Sequence, residues 1–298
     1  MAWTWARSNR VQASPEPQIV HTAWRPGERR AELELEDPYE DVPVHLALPL
    51  WQWIVPGLAP RASSHPFYST PEDRLQEIAL LLRIPLAGEA EDKIRTLARH
   101  CDANPTFMLQ LAEALLERYG SDGGRSRELK RLLAAANSAY TVRNDSSGLE
   151  LRVAPGVKDL IREAAEAANG SAGDHLVMSW NAAYGRSPDP VKAYSEAIKA
   201  VEAAMAPRIS PQNAKQTLGT MIRDVAAKPQ KWTFAIGDDT SGVEAILRLM
   251  RVLWDGQTSR HGGLDATRME TPEEARAAVH LAGALVQFAV SGAFAAAR

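Results

Sequence analysis

The sequence predicts a mainly α-helical protein, in which an α+β amino-terminal region with a small β-hairpin precedes a carboxyl-terminal helical bundle. Three observations support this fold class. Apolar residues recur at intervals of three and four over most of the chain after residue 70, which is the period of a helix buried on one side. Helix-capping residues followed by proline stand at the start of several of these runs. Alternation with a period of two, which is typical of strands, is confined to short stretches.

The composition is that of a globular protein and limits the function. The 298 residues suffice for two domains, and 34 basic against 37 acidic side chains give a net charge of −3, so any RNA binding must be local. Apolar stretches are too interrupted for a membrane span, and the amino terminus lacks a signal-peptide pattern. Cys101 is the only cysteine, and no nucleotide-binding loop occurs. We therefore expect no metal, no cofactor, no membrane contact and a cytoplasmic location.

Residues 1–66 are predicted to form an irregular, β-containing segment. Alternating runs at 31–35 and 42–48 indicate strands, and the surrounding prolines keep these strands short or at an edge. Large aromatic rings are usually buried, so we expect three tryptophans to anchor this segment by packing, namely Trp24, Trp51 and Trp53.

Residues 67–185 are predicted to be a helical region with a hairpin near residues 140–153. Thr70 followed by Pro71 supplies an N-cap hydroxyl and a proline at the first helical position. Two runs with alternating apolar residues flank the turn-rich stretch 144–148, which predicts strand, turn and strand. Further helices are expected at about 89–101, 105–119, 125–138, 156–169 and 173–184.

Residues 186–298 are predicted to be the helical bundle. Asp189 caps a helix whose apolar face leaves Glu196 on the exposed side. A second helix is expected to begin at Ser210, before a loop that contains Trp232 and Phe234. The last two helices are predicted from the apolar period over 243–254 and from the capping box at 271–274, with the final helix reaching residue 297.

The densest polar cluster follows the third of these helices. Glu244, Arg248, Arg251 and Asp255 are spaced to share one helix face, and Arg260-His261 stands before a glycine pair. An imidazole can transfer a proton and a guanidinium can hold phosphate oxygens, which suffices for cleavage of an RNA phosphodiester by its own 2′-hydroxyl. The same residues also fit an ordinary helix C-cap with cations near the negative helix end.

The stretch from Asp189 to Arg298 resembles the carboxyl-terminal domain of bacterial abortive-infection proteins, which belong to the HEPN superfamily. The resemblance is carried by 193–202 (AYSEAIKAVE), 217–219 (TLG), 260–263 (RHGG) and the alanine-rich final helix. It implies a HEPN-like helical bundle, often a homodimer, and in many members a metal-independent RNA endonuclease that acts in phage defence or as a toxin. His261 would then be the general acid or base, and Arg260 would bind phosphate.

The predicted function is therefore a metal-independent endoribonuclease, with His261, Arg260 and Arg251 as catalytic residues. The predicted substrate-binding residues are Arg248, Gln257, Arg268 and Glu202. If the chain binds RNA at this site, its arginines should converge with His261 on one groove. The alternative is a non-catalytic HEPN-like module that dimerises or binds a partner, in an abortive-infection protein or a phage or prophage accessory protein.

Overall fold

The structure is a computed structural model that describes residues 38–60, 70–120, 123–213, 216–237, 239–260 and 267–297. Within these ranges the chain forms eleven α-helices and four short strands. In chain order they are α1 (Val44–Leu58), α2 (Pro71–Leu82), α3 (Ala90–Ala103), α4 (Phe107–Tyr119), α5 (Gly123–Ala135), β1 (Tyr140–Val142), β2 (Leu149–Leu151), α6 (Pro155–Ala167), α7 (Ala172–Tyr184), α8 (Pro190–Ile209), α9 (Leu218–Ala227), β3 (Trp232–Phe234), α10 (Asp239–Asp255), α11 (Pro272–Val290) and β4 (Phe294–Ala296). No helix in the described ranges has both the length and the apolar character needed to cross a membrane.

Helices α1 to α5 and the hairpin β1–β2 enclose one apolar core, here called the amino-terminal core. The strand prediction for 42–48 is wrong, because α1 begins at Val44 and its buried residues Leu46, Leu50 and Ile54 follow the helical interval of four. The tryptophan prediction is confirmed for Trp51 and Trp53, which are both buried. Trp24 and the predicted strand at 31–35 lie outside the described residues.

The helix start at residue 70 and the hairpin are confirmed. The Thr70 hydroxyl accepts a hydrogen bond from the Asp73 amide, and the Asp73 carboxylate accepts one from the Thr70 amide. Strands β1 and β2 pair antiparallel, with Thr141 opposite Glu150.

Helices α6 to α11 form the second core, here called the carboxyl-terminal core. The helical bundle is confirmed, but its core also takes in α6 and α7, so the predicted division at residue 186 does not coincide with a division of the core. Small side chains let α8 approach its neighbours closely, since Ala193, Ala197 and Ala200 are fully buried. Asp189 caps α8 by accepting a hydrogen bond from the Lys192 amide, as predicted.

Two boundaries in the bundle differ from the prediction. The Ser210 amide bonds to the Ala206 carbonyl and ends α8, and α9 starts only at Leu218, behind the capping box of Thr217. The final helix ends at Val290 rather than running to residue 297. The chain turns at Gly292 with a positive φ of 76° and returns as β4, which pairs antiparallel with β3. This reversal buries Phe294 completely and stacks its ring on Trp232, with 5.4 Å between ring centroids.

Candidate functional site

Two of the segments that carry the resemblance, 193–202 and 217–219, meet Arg260, the first residue of a third, where α8, α9 and the end of α10 come together. Glu202, near the end of α8, accepts a hydrogen bond of 2.7 Å from the backbone amide of Leu218, the first residue of α9. That amide has no partner within its own helix, so the carboxylate satisfies an otherwise orphaned donor. The Thr217 hydroxyl accepts a hydrogen bond from the amide of Thr220, two residues after Leu218. The start of α9 is thus fixed to α8 by a side chain 16 residues away.

The Trp254 indole packs against the start of α9, and Arg260 stacks on that indole. The Trp254 indole lies directly against Gly219, where a Cβ would stand only 2.7 Å from two ring carbons. The guanidinium carbon of Arg260 lies 3.5 Å from the centre of the indole ring, and its Nη1 donates a 2.8 Å hydrogen bond to the Trp254 carbonyl. This cation–π stack holds the Arg260 side chain in one place. Glycine at 219 is required because any side chain would push the indole away.

Several positively charged side chains lie near Glu202 and affect its pKa. Burial raises its pKa above the ordinary value. The Leu218 amide and the positive charge of Arg260 act in the opposite direction, as do Lys199 and His175. A partly buried carboxyl with a raised pKa beside several cations is typical of functional sites, although structural ion-pair networks show the same pattern.

A second charged group, on α7 and α8, was missed by the sequence analysis. Glu196 was predicted to be exposed, but it is 8% exposed, and its two oxygens contact His175 Nδ1 at 2.6 Å and Lys199 Nζ at 2.7 Å. Burial acts to raise the pKa of Glu196, but the bonds from Lys199 and His175 hold it below the ordinary value. The sequence could have indicated the pairing of Glu196 with Lys199, which follows it by three residues on the same helix. It could not have indicated the pairing with His175, which lies on another helix.

The described residues on the two sides of 261–266 are hydrogen-bonded to each other. The Thr258 hydroxyl donates to the Arg268 carbonyl at 2.8 Å, and the Ser259 amide donates to Glu270 at 2.8 Å. Burial acts to raise the pKa of Glu270, but the hydrogen bonds from Ser259 keep it below the ordinary value. The predicted catalytic residue His261 lies outside the described residues, as do Gly262 and Gly263.

Tyr194, on α8, lies beside the end of α10. Its hydroxyl occupies the space that a Cβ at Gly256 would fill. Burial raises the pKa of Tyr194 to about 12, so the hydroxyl stays protonated at neutral pH and can donate hydrogen bonds.

The structure brings some of the predicted arginines together and separates others. Arg248 and Arg251 are exposed on one face of α10, as predicted, and line a cleft of about 270 Å³. Arg251 also lines an adjoining cleft of about 390 Å³ with Trp254 and with Arg223 of α9, which the sequence analysis did not select. Gln257 is half-buried just after α10.

Arg268 was predicted to converge on one groove with His261, and because His261 lies outside the described residues this stays a prediction. The two terminal nitrogens of Arg268 bind the Glu274 carboxylate at 2.8 and 2.9 Å. Glu274 also caps α11 through the Thr271 amide, so Arg268 reinforces a helix start. It lines neither of the arginine clefts.

No protein-family model, characterised protein or solved structure is significantly similar to the chain. The HEPN resemblance therefore stays a hypothesis from the sequence. Within the described ranges, no three His, Cys, Asp or Glu side chains group in a way that could hold a metal ion.

Proposed function

We propose that the carboxyl-terminal bundle is a metal-independent endoribonuclease of the phage-defence or toxin type. One observation carries the proposal. Arg260, the residue directly before His261, is fixed against Trp254 at the end of a cleft that Arg223 and Arg251 line. A guanidinium held in place is suited to a phosphate group, and the adjacent histidine supplies the residue type that moves protons near neutral pH.

The proposed reaction needs a base, an acid and a cation. The base removes the proton of an RNA 2′-hydroxyl, whose oxygen attacks the adjacent phosphorus. The 5′-oxygen leaves with a proton from the acid, giving a 2′,3′-cyclic phosphate and a 5′-hydroxyl end. His261 is proposed as the base or acid, and Arg260 and Arg251 as the groups that stabilise charge on the phosphate.

Glu202 has a different role in this proposal from the one expected from sequence. Its carboxylate already accepts the Leu218 amide and lies close enough to Arg260 for the two charges to interact. We therefore assign it to positioning Arg260 and α9, rather than to binding substrate.

The test is RNA cleavage by the purified chain in the presence of EDTA, compared with the His261→Ala variant. We expect the variant to lose about a hundredfold or more of the rate, which is the usual contribution of a general acid or base. Thermal unfolding of the variant should stay close to that of the wild type. His100→Ala is the matched control, since His100 is an exposed histidine at the end of α3 and should not affect cleavage.

Two outcomes would overturn parts of this proposal. Equal cleavage by the wild type and by His261→Ala would remove that residue from the mechanism. Absence of cleavage by the wild type would favour the alternative, a non-catalytic module that dimerises or binds a partner. Light scattering of the purified chain would then report whether a dimer forms.

A further inference from the structure

Three exposed arginines from two helices form one continuous surface, here called the arginine face. It consists of Arg223 on α9 and of Arg248 and Arg251 on α10. Arg251 lines two clefts, of about 390 and 270 Å³, so the two clefts lie next to each other on this surface. One end of the face reaches Trp254, on which Arg260 stacks.

The charges around the arginine face are mainly positive. Two further cations follow α9 in the chain, Lys228 at its end and Lys231 in the short 3-10 helix that leads to β3. Two acids lie on the same face of α10, Glu244 and Asp255, and Glu244 approaches Arg248 only to 3.9 Å. Asp224 of α9 is already engaged, since its carboxylate accepts hydrogen bonds from Ser210 and Gln216. The three arginines of this face thus stand beside two such acids in a chain whose net charge is −3.

The arginines lie on two neighbouring helices along two neighbouring open clefts, an arrangement that suits an extended chain of phosphates. Arg248 and Arg251 are three residues apart, so about 4.5 Å of helix axis separates them, and Arg223 faces them from the neighbouring helix. Guanidinium groups bind phosphate oxygens through their planar fork, and the clefts are open rather than enclosed. A single-stranded nucleic acid can follow such an open track because its backbone is flexible.

We infer that the arginine face binds the phosphate backbone of single-stranded RNA and leads the strand from Arg248 past Arg251 and Arg223 toward Trp254. The choice of RNA as the polyanion rests on the proposed function. Arg260, stacked on the Trp254 indole, then lies at one end of this track, and Arg251 is the residue that the track shares with the proposed cleavage site.

The test is the salt dependence of binding of a fluorescent 20-nucleotide single-stranded RNA, measured by anisotropy in the non-cleaving His261→Ala background. The triple variant Arg223→Ala, Arg248→Ala and Arg251→Ala should lose about tenfold or more in affinity near 0.1 M salt. The slope of log affinity against log salt should become shallower by about 2, because each phosphate contact contributes about 0.7 for single strands. The three side chains are exposed, so the variant should fold normally.

A charge-matched control is available on α5 of the amino-terminal core. Arg127, Lys130 and Arg131 are exposed on one face of that helix and border a cleft without an acidic side chain. Changing all three to alanine lowers the net charge by the same amount and should leave both affinity and slope unchanged. A second variant, with lysine at 223, 248 and 251, keeps the charge and should keep the slope.

The outcomes separate this inference from the proposed function. An unchanged slope in the arginine-face variant, or an equal loss in the α5 control, would overturn the inference whether or not the wild type cleaves RNA. RNA binding that depends on the arginine face, together with no cleavage by the wild type, would overturn only the nuclease proposal.

Discussion

The two cores of the molecule differ in whether their charged side chains are buried or lie at the surface. In helices α1 to α5 and the turn before β1 the buried polar residues are Ser126 and Ser138, and ion pairs such as Arg118 with Glu77 lie at the surface. The carboxyl-terminal core encloses the carboxylates of Glu196 and Glu270. Glu150 lies on β2, in the hairpin of the amino-terminal core, but its buried carboxylate contacts Lys158 of α6 and the Trp180 indole of α7, both in the carboxyl-terminal core.

This difference matters because a buried charge costs free energy unless its partners stay in place. The amino-terminal core is stabilised mainly by apolar contacts, which tolerate loss of a surface charge. The carboxyl-terminal core contains buried charged pairs, among them those of His175 and Lys199 with Glu196 on α8, the helix that also carries Glu202. Changes of a single charged residue should therefore have unequal effects in the two regions.

The largest effect should come from Lys158→Met. It leaves the Glu150 carboxylate buried with only the Trp180 indole N–H, and we expect a loss of about 3–5 kcal/mol in the free energy of unfolding. Urea denaturation measures this loss. Arg162→Met is the control on the same helix, because Arg162 pairs with Asp159 at the surface and should contribute less than about 1 kcal/mol. Similar losses in both variants would remove the distinction between buried and exposed pairs.

Removal of a helix N-cap should have a smaller effect on stability, and it should lower activity only in the carboxyl-terminal bundle. Thr70→Ala and Thr217→Ala each remove an N-cap hydroxyl, and each should cost about 1 kcal/mol in thermal or urea unfolding. Only Thr217→Ala should also lower RNA binding and cleavage, because α9 carries Arg223 and Gly219. If Thr70→Ala reduced activity as much, the candidate site would not be confined to the carboxyl-terminal bundle.

The smallest effect is a pH dependence of opposite sign in the two regions. Hydrogen bonds from Tyr119 and Arg118 lower the pKa of Glu77, so its ionised form stabilises the fold above the ordinary glutamate pKa of about 4.3. That stabilisation is lost as the pH falls through the lowered folded pKa. Burial raises the pKa of Glu202, so the folded state holds this proton more tightly than the unfolded chain does. Ionisation of Glu202 therefore costs stability as the pH rises from its ordinary pKa through the raised folded pKa.

Unfolding free energies of the wild type, Glu77→Gln and Glu202→Gln between pH 4 and pH 7 check these signs. As the pH rises over this range, the wild type should gain stability relative to Glu77→Gln and lose stability relative to Glu202→Gln. If the wild type gained stability with rising pH relative to both variants, burial would not raise the pKa of Glu202 in the folded state.

The sequence predicted those parts of the fold that depend on neighbouring residues. The helix starts at Thr70, Asp189 and Thr271 were correct, because a capping side chain bonds an amide only two or three residues away. The strand prediction at 42–48 was wrong, since a run of seven residues cannot distinguish strand alternation from one buried helix face. The β3–β4 pair could not be predicted, because its strands are about 60 residues apart and three residues long.

The candidate site shows the same limit. The exposed face of Arg248 and Arg251 followed from helical spacing alone. The contact of Glu202 with Leu218, the pairing of His175 with Glu196 and the presence of Arg223 opposite Arg251 all cross between helices, and spacing along one helix does not report them.

By itself the sequence determined the helical character of the chain, its main helix starts and the charged face of α10, since all of these depend on contacts within about four residues. Only the tertiary structure decided which partner each charged side chain takes. It placed Arg268 on Glu274 and Arg260 on Trp254. The physical reason is that helix geometry fixes the direction of a side chain, whereas packing between helices fixes what that side chain meets.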